Sequence, residues 1–157
     1  MKKIRKRVIL GMNHGFINMR LWHWQLIPYL PKSQLVAQWR ELNSIFKKQD
    51  KHILINYVYE YPKNCLFGYS SKVITEMKKR GYKIKNWDNW DNYFKDIKKD
   101  HTCDDYVHIN PFKNHHNKQY LEICYFNLEE KYIRGQKDFD DETWNKLNDF
   151  VKKECGV

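Results

Sequence analysis

The chain has 157 residues, 41% of them hydrophobic, and a net charge of +10. That suits one ordinary domain with a real core, and no apolar run approaches the roughly 20 residues of a membrane span. The four cysteines, Cys65, Cys103, Cys124 and Cys155, show no CxxC spacing, which excludes a zinc ribbon or a redox pair of that type and points to reduced thiols. The positive balance favours a polyanionic partner, nucleic acid first. Half of the excess, however, sits in Lys2, Lys3, Arg5, Lys6 and Arg7, with no acid before Met19. Basicity alone is therefore a weak guide.

Residues 1–18 read as a basic extension. The apolar run Val8 to Leu10 is too short for a signal peptide, so a cytoplasmic protein is expected. Asn13, His14 and Gly15 break any helix, and Met12 and Met19 are both possible internal starts. The expected arrangement is one helical domain over 19–157, beginning at Met19.

From Ser33 to about Lys48 the pattern is helical, with Leu35, Trp39, Leu42 and Phe46 recurring on one face and Ser33 as the expected N-cap. His52 to Tyr61 alternates Ile53, Ile55, Tyr57 and Tyr59, so propensity predicts a strand, ended by Pro62. A helix is expected from Cys65 to Arg80, with Leu66, Tyr69, Val73 and Met77 inward and Gly81 ending it. Trp87, Trp90, Phe94 and Ile97 give a short helical stripe. Asn117 to Arg134 and Asp140 to Lys153 are the last two predicted helices. Leu121, Cys124, Leu128 and Tyr132 face inward on the first; Trp144, Leu147 and Val151 do so on the second. The sum is an all-α, compact single-domain helical bundle with long loops, its aromatic residues mostly filling the core.

On the first long helix Gln34, Gln38 and Glu41 form a stripe at i, i+4 and i+7 beside the apolar face, with Arg40 on the other flank. Glu41 should be half-buried. Burial raises a carboxyl pKa and a nearby guanidinium lowers it. Geometry alone leaves two readings open: a group exchanging protons near neutral pH, or an ordinary solvated glutamate.

The stretch MRLWHWQLIPYLPKSQLVAQWREL, Met19 to Leu42, resembles the start of the pyrimidine-dimer DNA glycosylase (bacteriophage endonuclease V type) family. The ungapped interval from a starting Met to the Arg40–Glu41 pair matches the phage enzyme. The chain is more similar to a bacterial branch, through Asn56-Tyr57-Val58, Leu66-Phe67 with Tyr69, Glu76 to Tyr82, Trp87, and Tyr120-Leu121-Glu122 with Cys124, Asn127 and Leu128. The resemblance spans about Met19 to Gly135.

It implies an all-α fold and a DNA repair enzyme, a glycosylase with associated AP lyase (endonuclease) activity on pyrimidine dimers in double-stranded DNA. The nucleophile would be an α-amine, which attacks C1′ of the damaged nucleotide. An imine forms, the base leaves, and elimination cuts the strand. An α-amine has a pKa of roughly 7.7–8.0, so much of it is unprotonated at neutral pH. On this resemblance Glu41 is the acid/base partner, Met19 or Arg20 carries the amine, and Arg40 contacts phosphate. The chain departs from the phage pattern in having Arg20 second, where a small threonine allows Met removal. It also has Leu21 for an arginine, Gln34 for a helix histidine and Ser44 for a second arginine.

Further candidates for DNA contact are Arg20, His23, Lys32, Gln34 and His52, each with a structural alternative. His23 could contact phosphate or shuttle a proton, His52 could pack against the same pocket, and Lys32 could replace the amine as a Schiff-base lysine. Cys103, His108, His115 and His116 match no standard metal spacing, so neither metal nor cofactor is expected. A nucleoid-associated monomer without membrane contact is expected. Two rivals remain: a non-catalytic nucleic-acid-binding protein on the same scaffold, and a metal-dependent nuclease.

Overall fold

A computed structural model describes residues 20–97 and 109–156, and all that follows concerns those residues. Met19, the extension before it, Cys103 and His108 lie outside them. The described chain begins with an extended segment leading into a 3-10 helix, Trp24–Tyr29. Five α-helices follow: α1 (Lys32–Lys48), α2 (Lys63–Lys79), α3 (Trp87–Tyr93), α4 (Lys118–Ile133) and α5 (Asp141–Cys155). A second 3-10 helix, Asn56–Glu60, lies between α1 and α2. The described fold is all-α, and no described helix is long and apolar enough to cross a membrane.

The predicted stripes become the core. Leu35, Trp39, Leu42 and Phe46 of α1 are buried, as are Leu66, Tyr69, Val73 and Met77 of α2. On α5, Trp144, Leu147 and Val151 are buried too, and on α4 so are Leu121, Cys124 and Leu128, with Tyr132 half-buried. Helix α1 packs on α2 and α3, α4 packs on α5, and the first 3-10 helix touches both α2 and α5. Aromatic rings interlock at the centre. Phe94 meets Phe46, Phe67 and Trp90 with centroids 5.0, 5.3 and 5.9 Å away, all edge to face, the arrangement ring quadrupoles favour.

The strand expected over His52 to Tyr61 is not formed. Ile55 and Asn56 N–H both donate to His52 O, Val58 N–H to Ile55 O and Tyr61 N–H to Val58 O, so the chain winds in tight turns. Ile55 is buried while Ile53 is 84% exposed. The alternation recorded β-branched and aromatic residues, but a strand needs a partner edge, and the described residues supply none.

The cap of α1 also differs from expectation. Ser33 lies inside the first turn and Pro31 is the N-cap. Asp138, from the loop between α4 and α5, supplies the missing acceptors: Ser33 N–H donates to its Oδ2 at 2.6 Å and Ser33 Oγ to its Oδ1 at 3.0 Å. Gly135 makes this reach possible. Its φ of +82° lets Gly135 N–H bond Tyr132 O and Gln136 N–H bond Lys131 O, a reversal that sends the chain back across α1. Asp138→Ala is expected to cost about 1 kcal/mol, the usual worth of a capping side chain. Thermal unfolding of the variant checks this, and an unchanged midpoint would remove Asp138 from the cap.

Candidate active site around Glu41

Helix geometry places Glu41 on the flank of α1 beside the core, and the structure leaves it half-buried there. Its surroundings come from three parts of the chain. Arg20 N–H of the leading segment donates to its carboxyl, Gln38 Nε2 donates to Oε2 at 3.1 Å, and the cations of Arg40 on α1 and Lys131 on α4 act on it electrostatically. Burial pushes the carboxyl from an ordinary 4.5 up to about 8, against the pull of the Arg20 N–H and of Arg40 and Lys131. Desolvation outweighs the cations. The result is a carboxyl that exchanges its proton close to neutral pH.

The wall behind Glu41 is built from neutral hydrogen-bonding groups. Tyr120, on the first turn of α4, donates its hydroxyl to Leu21 O at 2.7 Å. The Arg20 guanidinium lies over the Tyr120 ring, 5.8 Å from its centroid. Tyr69 of α2 hydrogen-bonds Trp22 O at 2.7 Å and Gln38 Oε1 at 2.9 Å. Burial raises the phenols of Tyr57, Tyr69 and Tyr120, and holds the Cys124 thiol at about 11. All four stay protonated at neutral pH, so Cys124 is a poor nucleophile.

His23 and His116 stack with centroids 5.4 Å apart and both lie against the Tyr120 ring. His23 Nδ1 accepts from Gln25 N–H at 3.2 Å, capping the first 3-10 helix, which leaves Nε2–H to donate to His116 O at 3.1 Å. His116 Nδ1 accepts from Trp24 N–H at 3.1 Å, so its Nε2–H faces the Tyr57 hydroxyl at 2.6 Å. Burial lowers His23 to about 4 and His116 well below its ordinary value. Both rings are neutral braces. His23 is 2% exposed with both nitrogens committed, which leaves none for a phosphate.

The other anticipated residues are scattered. Arg40 is exposed on α1. Lys32 is exposed beside the Tyr82 ring, 5.2 Å from its centroid. Gln34 donates to Gln136 Oε1 at 2.9 Å and so ties down the loop that caps α1. His52 Nδ1 accepts from Leu54 N–H, and His52 N–H donates to Asn56 Oδ1; it shapes its own turn rather than packing against the Glu41 pocket. Among the described residues no three His, Cys, Asp or Glu side chains group as a metal site. A separate cavity of about 440 Å³, lined by Tyr61, Cys65, Asn110, Pro111, Lys113 and Asn114 among others, contains none of the residues around Glu41.

Tyr57, Tyr69, His116, Tyr120 and Lys131 did not stand out in the sequence as a set. They come from two α-helices, a 3-10 helix and one connection, and no spacing links them. Tyr57, Tyr69 and Tyr120 do fall within stretches that carried the family resemblance, which was the available signal.

Residues 19–89 match the model of the family described as pyrimidine dimer DNA glycosylase. Over that segment the chain is similar to the pyrimidine dimer DNA glycosylase family. A search of curated proteins and one of solved structures gave no match. The matched segment holds Arg20, Gln38, Arg40, Glu41, Tyr57 and Tyr69, while His116, Tyr120 and Lys131 lie beyond it.

Proposed function

We propose that the protein is a DNA repair glycosylase with associated AP lyase activity on pyrimidine dimers in duplex DNA. Glu41 is the acid/base group and an α-amine at Met19 or Arg20 the nucleophile. The observation that carries this reading is the contact between the Arg20 backbone nitrogen and the Glu41 carboxyl. Within a longer chain that nitrogen is an amide, its lone pair delocalised into the carbonyl. In a chain starting at Arg20 the same nitrogen is an amine beside a carboxyl whose pKa lies near its own. The amine attacks C1′ of the damaged nucleotide and the base departs with its bonding electrons. As the imine forms the C1′–O4′ bond breaks: Glu41, which holds its proton near neutral pH, gives it to O4′ and takes up the one that the nitrogen sheds. Loss of a proton from C2′ then expels the 3′ phosphate and cuts the strand. Arg20, Arg40 and Lys131 supply positive charge where phosphates pass, and a nucleotide would leave the stack to reach the amine.

Borohydride trapping tests this. It reduces an imine to a stable amine and fixes protein to DNA. Three forms, the 157-residue chain and chains starting at Met19 and at Arg20, are incubated with abasic and ultraviolet-irradiated duplexes. A trapped adduct is expected with a shortened form only. No adduct with any form would sink the lyase reading in favour of a nucleic-acid-binding protein on the same scaffold. Binding by such a protein would weaken with salt by about 0.9 log units per decade for each phosphate neutralised on duplex DNA.

A further inference from the structure

Gln38 is 1% exposed and uses every hydrogen-bonding position of its amide. Oε1 accepts from Trp22 N–H at 2.8 Å and lies 2.9 Å from the Tyr69 hydroxyl, whose one proton it shares with Trp22 O. Nε2 donates to Arg20 O at 2.9 Å and to Glu41 Oε2 at 3.1 Å. The amide has only one workable orientation. A backbone N–H can only donate and a backbone C=O only accept, so Trp22 fixes the oxygen and Arg20 the nitrogen. Both polar groups of residue 20 are thus held by two side chains of α1, its N–H by Glu41 and its C=O by Gln38. Leucine at 38 would fit the buried position, but it would leave an N–H and a C=O without partners away from water.

We infer that Gln38 is the positioning residue of the site, fixing the backbone of residues 20–22 against α1 and aiming the Glu41 carboxyl at the residue 20 nitrogen. The inference rests on the proposed role of Glu41. The acceptor half of the amide sets the distance between segment and helix. The donor half sets which way Glu41 points. Groups that face Glu41 besides Gln38 are Arg20 from the leading segment, Arg40 on α1, Lys131 on α4 and Tyr69 on α2.

Two full-length variants separate the halves. Gln38→Met removes both; Gln38→Glu keeps the acceptors and replaces the donor with a second carboxylate beside Glu41. Hydrogen exchange and the carboxyl carbon-13 titration of Glu41 are read without any DNA. In Gln38→Met the Trp22 amide is expected to exchange at least about tenfold faster while amides in α5 keep their protection. In Gln38→Glu the Trp22 amide stays protected, and the Glu41 titration moves to higher pH by about one pH unit or more, as one carboxylate resists ionising beside another. Either the same Trp22 protection in Gln38→Met or an unmoved Glu41 titration in Gln38→Glu overturns the inference. Should Gln38→Met unfold throughout, Gln38→Glu decides alone. On irradiated duplex, with a form of the chain that cuts DNA, both variants should lose kcat at least about tenfold with KM within about twofold. If Glu41→Gln keeps full activity, the role of Glu41 fails, while exchange and titration still judge Gln38.

Discussion

Glu41→Gln is expected to lower the rate of strand cutting on ultraviolet-irradiated duplex by about 10²–10⁴-fold, the range that one positioned proton-transfer group supplies. Duplex affinity should stay within about twofold. The substitution keeps the shape of the side chain and an oxygen to accept from Arg20 N–H and Gln38 Nε2, so the wall of Tyr69, Tyr120 and Leu21 has no cause to move. Only proton exchange is lost. Single-turnover cutting, measured beside equilibrium binding to the same duplex, separates the two effects. Cutting at the native rate would reduce Glu41 to a structural carboxyl.

The same substitution should make the protein more stable in alkali. Burial raises the Glu41 carboxyl from 4.5 to about 8 in the folded chain. Below pH 4.5 folded and unfolded chains both hold the proton, and the group contributes no penalty. Between 4.5 and 8 the unfolded chain releases it while the folded chain keeps it, so stability falls as pH rises. Above 8 the folded protein carries a buried anion and the full penalty remains. Glu41→Gln lacks this slope. Denaturant unfolding at pH 4 and pH 9 should show similar stabilities at the lower pH and an advantage to the variant of a few kcal/mol at the higher. Equal pH dependence in the two proteins would mean that Glu41 titrates as a solvated side chain.

Both expectations begin from a position that helix geometry had already marked. Gln34, Gln38 and Glu41 share a flank of α1 because 3.6 residues make a turn, and half-burial of Glu41 follows from Trp39 and Leu42 being core. The long helices were legible for the same reason: their apolar stripes and terminal glycines are local facts. The segment from His52 to Tyr61 was not, because alternation of Ile and Tyr records propensity while strand formation depends on a distant edge. His23 and His116 were also unreadable. Each is neutral because it is buried, and the hydrogen bonds that seat the two rings join groups 93 and 92 residues apart in sequence. Arg20 shows the mixed case. Its side chain suggested phosphate contact, but its backbone N–H and C=O hold the place at Glu41, and no sequence pattern records that.

The contacts that complete the site join the two ends of the described chain. Tyr120 meets Leu21 across 99 residues, and Asp138 meets Ser33 across 105. Closing loops of that length costs entropy that neighbouring contacts repay only once the far helices have docked. Synthesis delivers Arg20 and Glu41 early and their companions late. A ribosome still extending the chain before Tyr120 therefore carries a glutamate that is wet, acidic and uncapped. Its unusual proton affinity arises only at the end of folding, when the far helices bury it.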